Sequence, residues 1–356
     1  MRRWIWSVAL VIAALAGPWL SRPGLPPPGF ALAHPWDWAA HAAGLTLLSA
    51  ALELGWRNQG SRTPVYRRHL TIFLLVGLFA ASFELHPARL QHLGAAIAWL
   101  ADLAGDALGL VLTSLPWLCS RRLQSMGWRR GTARRPEPGA PLILVDDPHW
   151  SGALTGLDQA LADHPGADWL FLGDVFDVWV GIPGMDTPLE TEFLAWVEAR
   201  RRAGRWVGLW LGNREFFLDP LADRFDLMGE GTGGRLPAEG LAWEHGDLVN
   251  SADWRYRLWN LAARSSPVWL LARILPKATA RALAERLQKL LHTTNRAYKL
   301  AFPRQAFRAA AAEYPSATFI TGHFHTHEVE GNGIALPWAH NGEFALWQDG
   351  KVRILP

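Results

Sequence analysis

The sequence predicts an α/β domain over its C-terminal two-thirds, preceded by an α-helical membrane region. Three observations carry this. Residues 1 to about 128 hold four long apolar segments separated by arginine-bearing stretches. Beyond residue 140, five short apolar runs each lead straight into a cluster containing Asp, Asn or His. Between the last two of those runs lies a long stretch with apolar residues at helical spacing.

Composition sets the frame. The chain has 356 residues, enough for two domains of ordinary size. Half are apolar and 19% charged, a low share for a wholly soluble protein. The 21 Trp are an excess, and Trp favours places with one apolar and one wet side. The single cysteine, Cys119, excludes an intramolecular disulfide framework and a thiolate metal site.

The four apolar segments run over Trp4–Leu20, Trp38–Leu54, Leu70–Leu85 and Leu93–Leu118. About 20 residues cross the hydrocarbon of a bilayer, and the first two segments come near that length. The third is short, and the fourth carries Asp102 and Asp106. Arginine is rich before the first segment (Arg2, Arg3), poor after it (Arg22), and rich after the second (Arg57, Arg62, Arg67, Arg68). It is poor after the third (Arg89) and rich again after the fourth, from Arg121 to Arg135. That alternation is expected of four spans with both termini in the cytoplasm, placing the C-terminal domain at the cytoplasmic face of a membrane. Two alternatives stand beside it: fewer spans or interfacial helices, and a cleaved signal peptide ending near Ala31-Leu32-Ala33. Residues 129–140 (RRGTARRPEPGA) read as a basic linker rich in Pro and Gly, either under an anionic membrane face or as an ordinary solvated loop.

The domain then spans residues 141–356. Pro141–Val145 leads into Asp146, Asp147 and His149, and Trp169–Leu172 into Gly173, Asp174 and Asp177. Trp206–Leu211 leads into Gly212, Asn213, Arg214 and Glu215, and Leu241–Trp243 into Glu244, His245 and Asp247. Thr318–Ile320 leads into Gly322, His323 and His325. Runs of this length suit buried strands, and open α/β sheets collect ligand residues in the loops at the carboxyl ends of strands. Carboxylates with neutral imidazoles suit Mn, Fe, Zn or Co better than Mg or Ca. A pair of such ions clamps a phosphoryl group and lowers the pKa of a water that attacks it. One such cluster alone is weak, but five in this order are far more specific.

Over about residues 141–350 these blocks resemble the calcineurin-like metallophosphoesterases, whose blocks are Asp-x-His, Gly-Asp-x-x-Asp/Glu, Gly-Asn-His/Arg-Asp/Glu, His and Gly-His-x-His. The resemblance implies a two-sheet sandwich flanked by helices and two divalent metal ions, with Mn²⁺ the expected ion. By it, Asp147, His149, Asp174 and His325 hold one metal. Asp174, Asn213, His245 and His323 hold the other, with Asp174 bridging and Asn213, Arg214 and His323 in the catalytic set. Arg214 stands where many relatives carry a His that protonates the leaving group. A guanidinium cannot do that near neutral pH, but it can hold phosphate oxygens bidentately. A diphosphate, whose leaving group is a phosphate monoester, needs less protonation than an alkoxide.

GDVFDVWVG, GNREFF and HGDLVNSADWRY look like the corresponding blocks of the UDP-2,3-diacylglucosamine pyrophosphatases, which belong to lipid A biosynthesis. That resemblance implies hydrolysis of the lipid diphosphate to UMP and 2,3-diacylglucosamine 1-phosphate. It gives substrate contacts to Arg214, Asp253 and Tyr256, and to Asn295 and Lys299 at slightly different spacing. The partners implied are a nucleotide-linked lipid and the membrane, and no nucleic acid. The helical stretch, about residues 254–312, corresponds to an insertion that covers acyl chains in those relatives; it equally suits a helical layer packed on a sheet. Among its arginines, Arg255, Arg257, Arg264 and Arg273 are candidates for lipid or nucleotide phosphates, or for plain solvent. Two other functions remain open on sequence: action on another nucleotide-linked lipid or phospholipid phosphodiester, and an inactive membrane-anchored binding module.

Overall fold

A computed structural model describes the chain from residue 129 to 355, apart from 132–134, 136, 138, 153–155, 251–252 and 295–301. The chain divides into two units, Met1–Ser120 and Arg121–Pro356, and every described residue lies in the second. The four apolar segments, the arginines between them, Cys119, Asn295 and Lys299 lie outside the described residues. Among those described, no helix is long and apolar enough to cross a membrane.

The described residues open with β1 (Arg129–Gly131), β2 (Leu142–Val145), α1 (Leu157–Asp163), β3 (Asp168–Phe171) and β4 (Trp179–Val180). It continues through α2 (Pro188–Arg202), β5 (Val207–Leu211), β6 (Glu215–Phe216), β7 (Leu227–Glu230), β8 (Gly234–Leu236) and β9 (Leu241–Glu244). Helices α3 (Trp254–Ala263), α4 (Ser266–Ile274), α5 (Lys277–Thr294) and α6 (Arg304–Ala311) follow, then β10 (Thr318–Thr321), β11 (Glu328–Glu330), β12 (Gly333–Ala335), β13 (Phe344–Gln348) and β14 (Lys351–Leu355).

A seven-stranded sheet has the order β1-β7-β5-β3-β2-β13-β14, and a five-stranded sheet the order β11-β12-β10-β9-β8. Within the first, β7, β5, β3 and β2 run parallel, and antiparallel strands close both edges. In the second, β9, β10 and β12 are parallel.

The period-2 alternation of strand side chains explains how these runs are buried on both faces. In β2, Leu142 and Leu144 point into one core cluster while Ile143 and Val145 point into another. The first cluster lies between the sheets, where Leu142, Leu170 and Trp210 meet Leu241, Trp243 and Ile320. Trp210 and Trp243 pack edge to face there, centroids 5.8 Å apart. The second cluster fills the space under α1 and α2, with Phe193 and Val197 of α2 fully buried. On the far side, Phe307, Ala310 and Ala311 of α6 pack on Phe319 and Ala335. The layers are therefore helix, sheet, sheet, helix, compatible with the expected sandwich.

Local chemistry fixes the elements. Helix α2 starts at a capping box: Thr187 Oγ1 accepts the Glu190 N–H, Glu190 accepts the Thr187 N–H, and Pro188 follows. Pro276 separates α4 from α5, as its ring and missing N–H require.

One sequence expectation needs correction. The segment 129–140 is not simply a linker. Arg129–Gly131 pairs antiparallel with β7, and Arg135, with a side chain only 1% exposed, binds Asp168, Glu239 and the Ala140 carbonyl. Within 254–312, α6 packs on the second sheet, as the helical-layer reading of this stretch expects. Helix α4, by contrast, leaves Val268, Leu270, Leu271 and Ile274 exposed, Ile274 by 71%.

Candidate metal centre

Strands β2, β3 and β5 are mutually parallel, as are β9 and β10, so their carboxyl-end loops gather on one edge of the sandwich. Two groups form there: Asp147 with His149 and His325, and Asp174 with His245 and His323. Within each, the ligand atoms lie within 4.8 Å of one another. Asp146, Asp147 and His245 form a third such group that joins the two. Asn213 stands beside the second, its Oδ1 3.1 Å from His245 Nε2.

The backbone is bent to achieve this. Asp147, His149, Asp174, His323 and His325 all have positive φ, between 44° and 69°. Side chains rarely adopt that region, and such strain persists only where the surroundings over-determine it. The surroundings are visible. Trp150 N–H donates to the Val175 carbonyl (2.6 Å) and Gly322 N–H to the His245 carbonyl (2.8 Å). The fully buried Glu215 accepts three N–H groups, from Asp174, Val175 and Gly212, at 2.7–3.0 Å. Close approach makes two glycines obligatory: a Cβ on Gly212 would lie 2.4 Å from Asp174 Oδ1, and one on Gly322 1.5 Å from Asp146 Oδ1.

The imidazoles are oriented as metal ligands need. The Nδ1–H of His245 donates to the Leu172 carbonyl at 2.6 Å, turning Nε2 toward Asn213 and Asp174. His149 Nδ1 meets Asp177 Oδ1 at 2.9 Å, leaving its other nitrogen for the site. Holding one ring nitrogen in this way is the usual means of fixing tautomer and direction at a metal.

The donor set fits divalent metal. Asp147 is fully buried, and among the described residues no aligned hydrogen-bond donor meets either of its oxygens. What approaches them are imidazole nitrogens, His325 Nε2 at 2.8 Å and His245 Nδ1 at 4.0 Å. Burial raises the Asp147 pKa, but His245, His325 and His323 outweigh it and hold the carboxyl well below its usual range. For His245, desolvation is outweighed by Asp174, Asp147 and Asp247, and its pKa is raised to about 9. Burial and the neighbouring Asp174 charge push Glu215 up to about 7. Crowded anionic and cationic groups of this kind are what a cation would reorganise.

Arg214 lies at the centre. Its Nε donates to Asp174 Oδ2 (3.1 Å), its N–H to Oδ1 (2.9 Å), and Nη1 to Asp177 Oδ1 (3.0 Å). It also lines a cleft of about 540 Å³ with His149, Asp177, Trp150, Phe176, Leu189 and Arg281 of α5.

Other expected residues take structural partners. Asp253 caps α3 by accepting the Tyr256 N–H at 3.0 Å, and the Tyr256 hydroxyl donates to Asp247. Arg264 binds Glu230 (2.7 Å) and the Gly212 carbonyl, next to Asn213. The Arg273 guanidinium lies over Trp269, and Arg257 is buried.

Sequence reading missed two contributors. Asp146 accepts the His323 N–H (3.2 Å) beneath the Gly-His-x-His turn. Trp338 stacks on His325 with centroids 4.6 Å apart. Asp146 is adjacent to a recognised block and was within reach; Trp338 has no signal at all.

No family model matches the chain. It is 30% identical over 196 residues to the UDP-2,3-diacylglucosamine hydrolase of Ectopseudomonas mendocina (strain ymp), covering 51% of this chain and 80% of that relative. To the enzyme of the same name from Stutzerimonas stutzeri (strain A1501) it is 28% identical over 171 residues, 46% of this chain and 71% of the relative. With that of Pseudomonas fluorescens (strain SBW25) the values are 27% over 156 residues, 41% and 62%. With relatives that are hydrolases and a clustered set of metal-type ligands at its strand ends, the chain is a hydrolase and belongs to the UDP-2,3-diacylglucosamine hydrolase family.

Proposed function

We propose that the chain hydrolyses the diphosphate of UDP-2,3-diacylglucosamine, releasing UMP and leaving 2,3-diacylglucosamine 1-phosphate. The observation that carries this is Arg214, seated on Asp174 between the two histidine–carboxylate groups and facing the cleft. The names of the relatives favour the same substrate. In this reading Asp147, His149, Asp174 and His325 hold one divalent ion, and Asp174, Asn213, His245 and His323 the other, with Mn²⁺ the expected metal. When bound, such a pair supplies positive charge at the phosphoryl group and a water of lowered pKa.

The chain's own residues do the rest. The Arg214 guanidinium holds phosphoryl oxygens bidentately and stabilises the charge that develops on them. Asp177 aims both Arg214 and His149. Asn213 and His323 complete the catalytic set beside it. The apolar wall of the cleft, with Trp150, Phe176 and Leu189, excludes water from one side of the substrate. The exposed apolar face of α4 suits an acylated substrate. Asp253 and Tyr256, at the start of α3, are proposed substrate contacts, together with Asn295 and Lys299.

The location proposed is the cytoplasmic face of the inner membrane, with residues 1–128 as a multi-span anchor and 141–356 as the catalytic domain. Support comes from the arginine alternation between the apolar segments. The test is complementation of a strain lacking its own UDP-2,3-diacylglucosamine pyrophosphatase. Rescue by the full chain and failure of Asn213→Ala support the proposal; failure of the well-expressed full chain refutes the substrate.

A further inference from the structure

We propose that Trp338 is a positioning residue that clamps the two imidazoles of the Asp147, His149 and His325 group. The inference rests on the reading that this group holds a divalent ion. The Trp338 indole lies flat against His325, centroids 4.6 Å apart and planes 4° from parallel. Its edge meets His149 at 6.0 Å and 90°. One planar ring therefore contacts both histidines of the group, each from a different direction. His340 stacks on the same indole at 4.9 Å and 29°.

The ring is held where it is by its own loop. Pro337 and Ala339 on either side are buried. The Ala339 N–H donates to the Asp146 carbonyl at 3.0 Å, tying the loop to the residue before Asp147. Asn341 N–H returns to the Trp338 carbonyl at 3.0 Å, and Gly342, at φ 88°, ends the turn. The platform and the third ligand of the group are thus one connected unit.

A ligand imidazole needs something to fix its plane. His149 has Asp177 on Nδ1 for that purpose. His325 is gripped through its face by the indole, while its Nε2 meets Asp147 Oδ2 at 2.8 Å. Without the indole its ring gains rotamers, and each must be frozen out when a metal binds.

The test is Mn²⁺ titration of the metal-free full chain by calorimetry, comparing wild type with Trp338→Ala, Trp338→Leu and Trp338→Phe. Wild type should take two equivalents. Trp338→Ala should keep one at unchanged affinity and bind the other about two- to tenfold more weakly, the size of one aromatic pair. Trp338→Phe, which retains a ring face, should recover most of the loss, and Trp338→Leu should not. Should Trp338→Ala fail to fold, the Leu and Phe variants carry the same comparison in a filled site. Unchanged affinity for both equivalents in the Leu and Ala variants overturns the inference, even if turnover falls. A wild-type chain that binds no second equivalent overturns instead the two-metal reading beneath it.

Discussion

Arg214 grips Asp174 through both side chain and backbone, Nε to Oδ2 at 3.1 Å and N–H to Oδ1 at 2.9 Å. The carboxylate proposed to bridge two cations is thus already paired with a fixed positive charge. Both groups are almost fully buried, so the pairing acts in a poorly screened environment. The guanidinium reaches Asp177 as well, and through it His149, so one arginine spans both ligand groups.

Replacing Arg214 by Ala should therefore lower kcat about 10²- to 10³-fold, as expected for loss of a donor aimed at developing charge. Arg214→Lys should recover little, because a point charge cannot reproduce the fork across Asp174 and Asp177. Steady-state kinetics with saturating Mn²⁺ gives the answer. A lysine variant with near wild-type kcat would show that charge alone suffices.

Metal-free protein should lose stability as pH rises from about 5 to 9. His245 is raised to about 9 and Glu215 to about 7 in the folded chain. A group whose folded pKa is raised binds more protons folded than unfolded, so its contribution is complete below the unfolded value and lost as pH climbs through the folded one. Metal binding requires a deprotonated His245 and should reverse the trend. Thermal midpoints across that range, with EDTA and with Mn²⁺, should diverge as pH increases. Parallel curves would contradict the arrangement.

Arg135→Ala should destabilise the domain by about 3 kcal/mol, because it strands the buried Asp168 and frees Glu239. A chain that begins at residue 141 should show a similar deficit, since it lacks both Arg135 and strand β1. Denaturant midpoints of the two, against the matching longer chain, measure this. Equal midpoints would return residues 129–140 to the status of a linker.

The parts legible in the sequence are those encoded locally. The five apolar runs became β2, β3, β5, β9 and β10 within a residue or two of their expected limits, because each is short, continuous and followed by a turn-forming cluster. The blocks after them drew together because parallel strands bring like ends to one edge. What stayed hidden depends on distant partners. Arg135 looks like one arginine in a solvated basic run until Asp168 and Glu239 are brought to it. Glu215 reads as an acid of the third block, yet its work is to accept three N–H groups from neighbouring loops. Trp338 is one tryptophan among 21, and only folding sets it against His325.

The most direct test of the central claim is product analysis. Purified full-length chain, loaded with Mn²⁺, is incubated with UDP-2,3-diacylglucosamine, and the nucleotide and lipid products are quantified together. The expected result is UMP and 2,3-diacylglucosamine 1-phosphate in equal amounts, abolished by EDTA and by Asn213→Ala. Absence of UMP, alongside robust turnover of another phosphodiester by the same preparation, would contradict it.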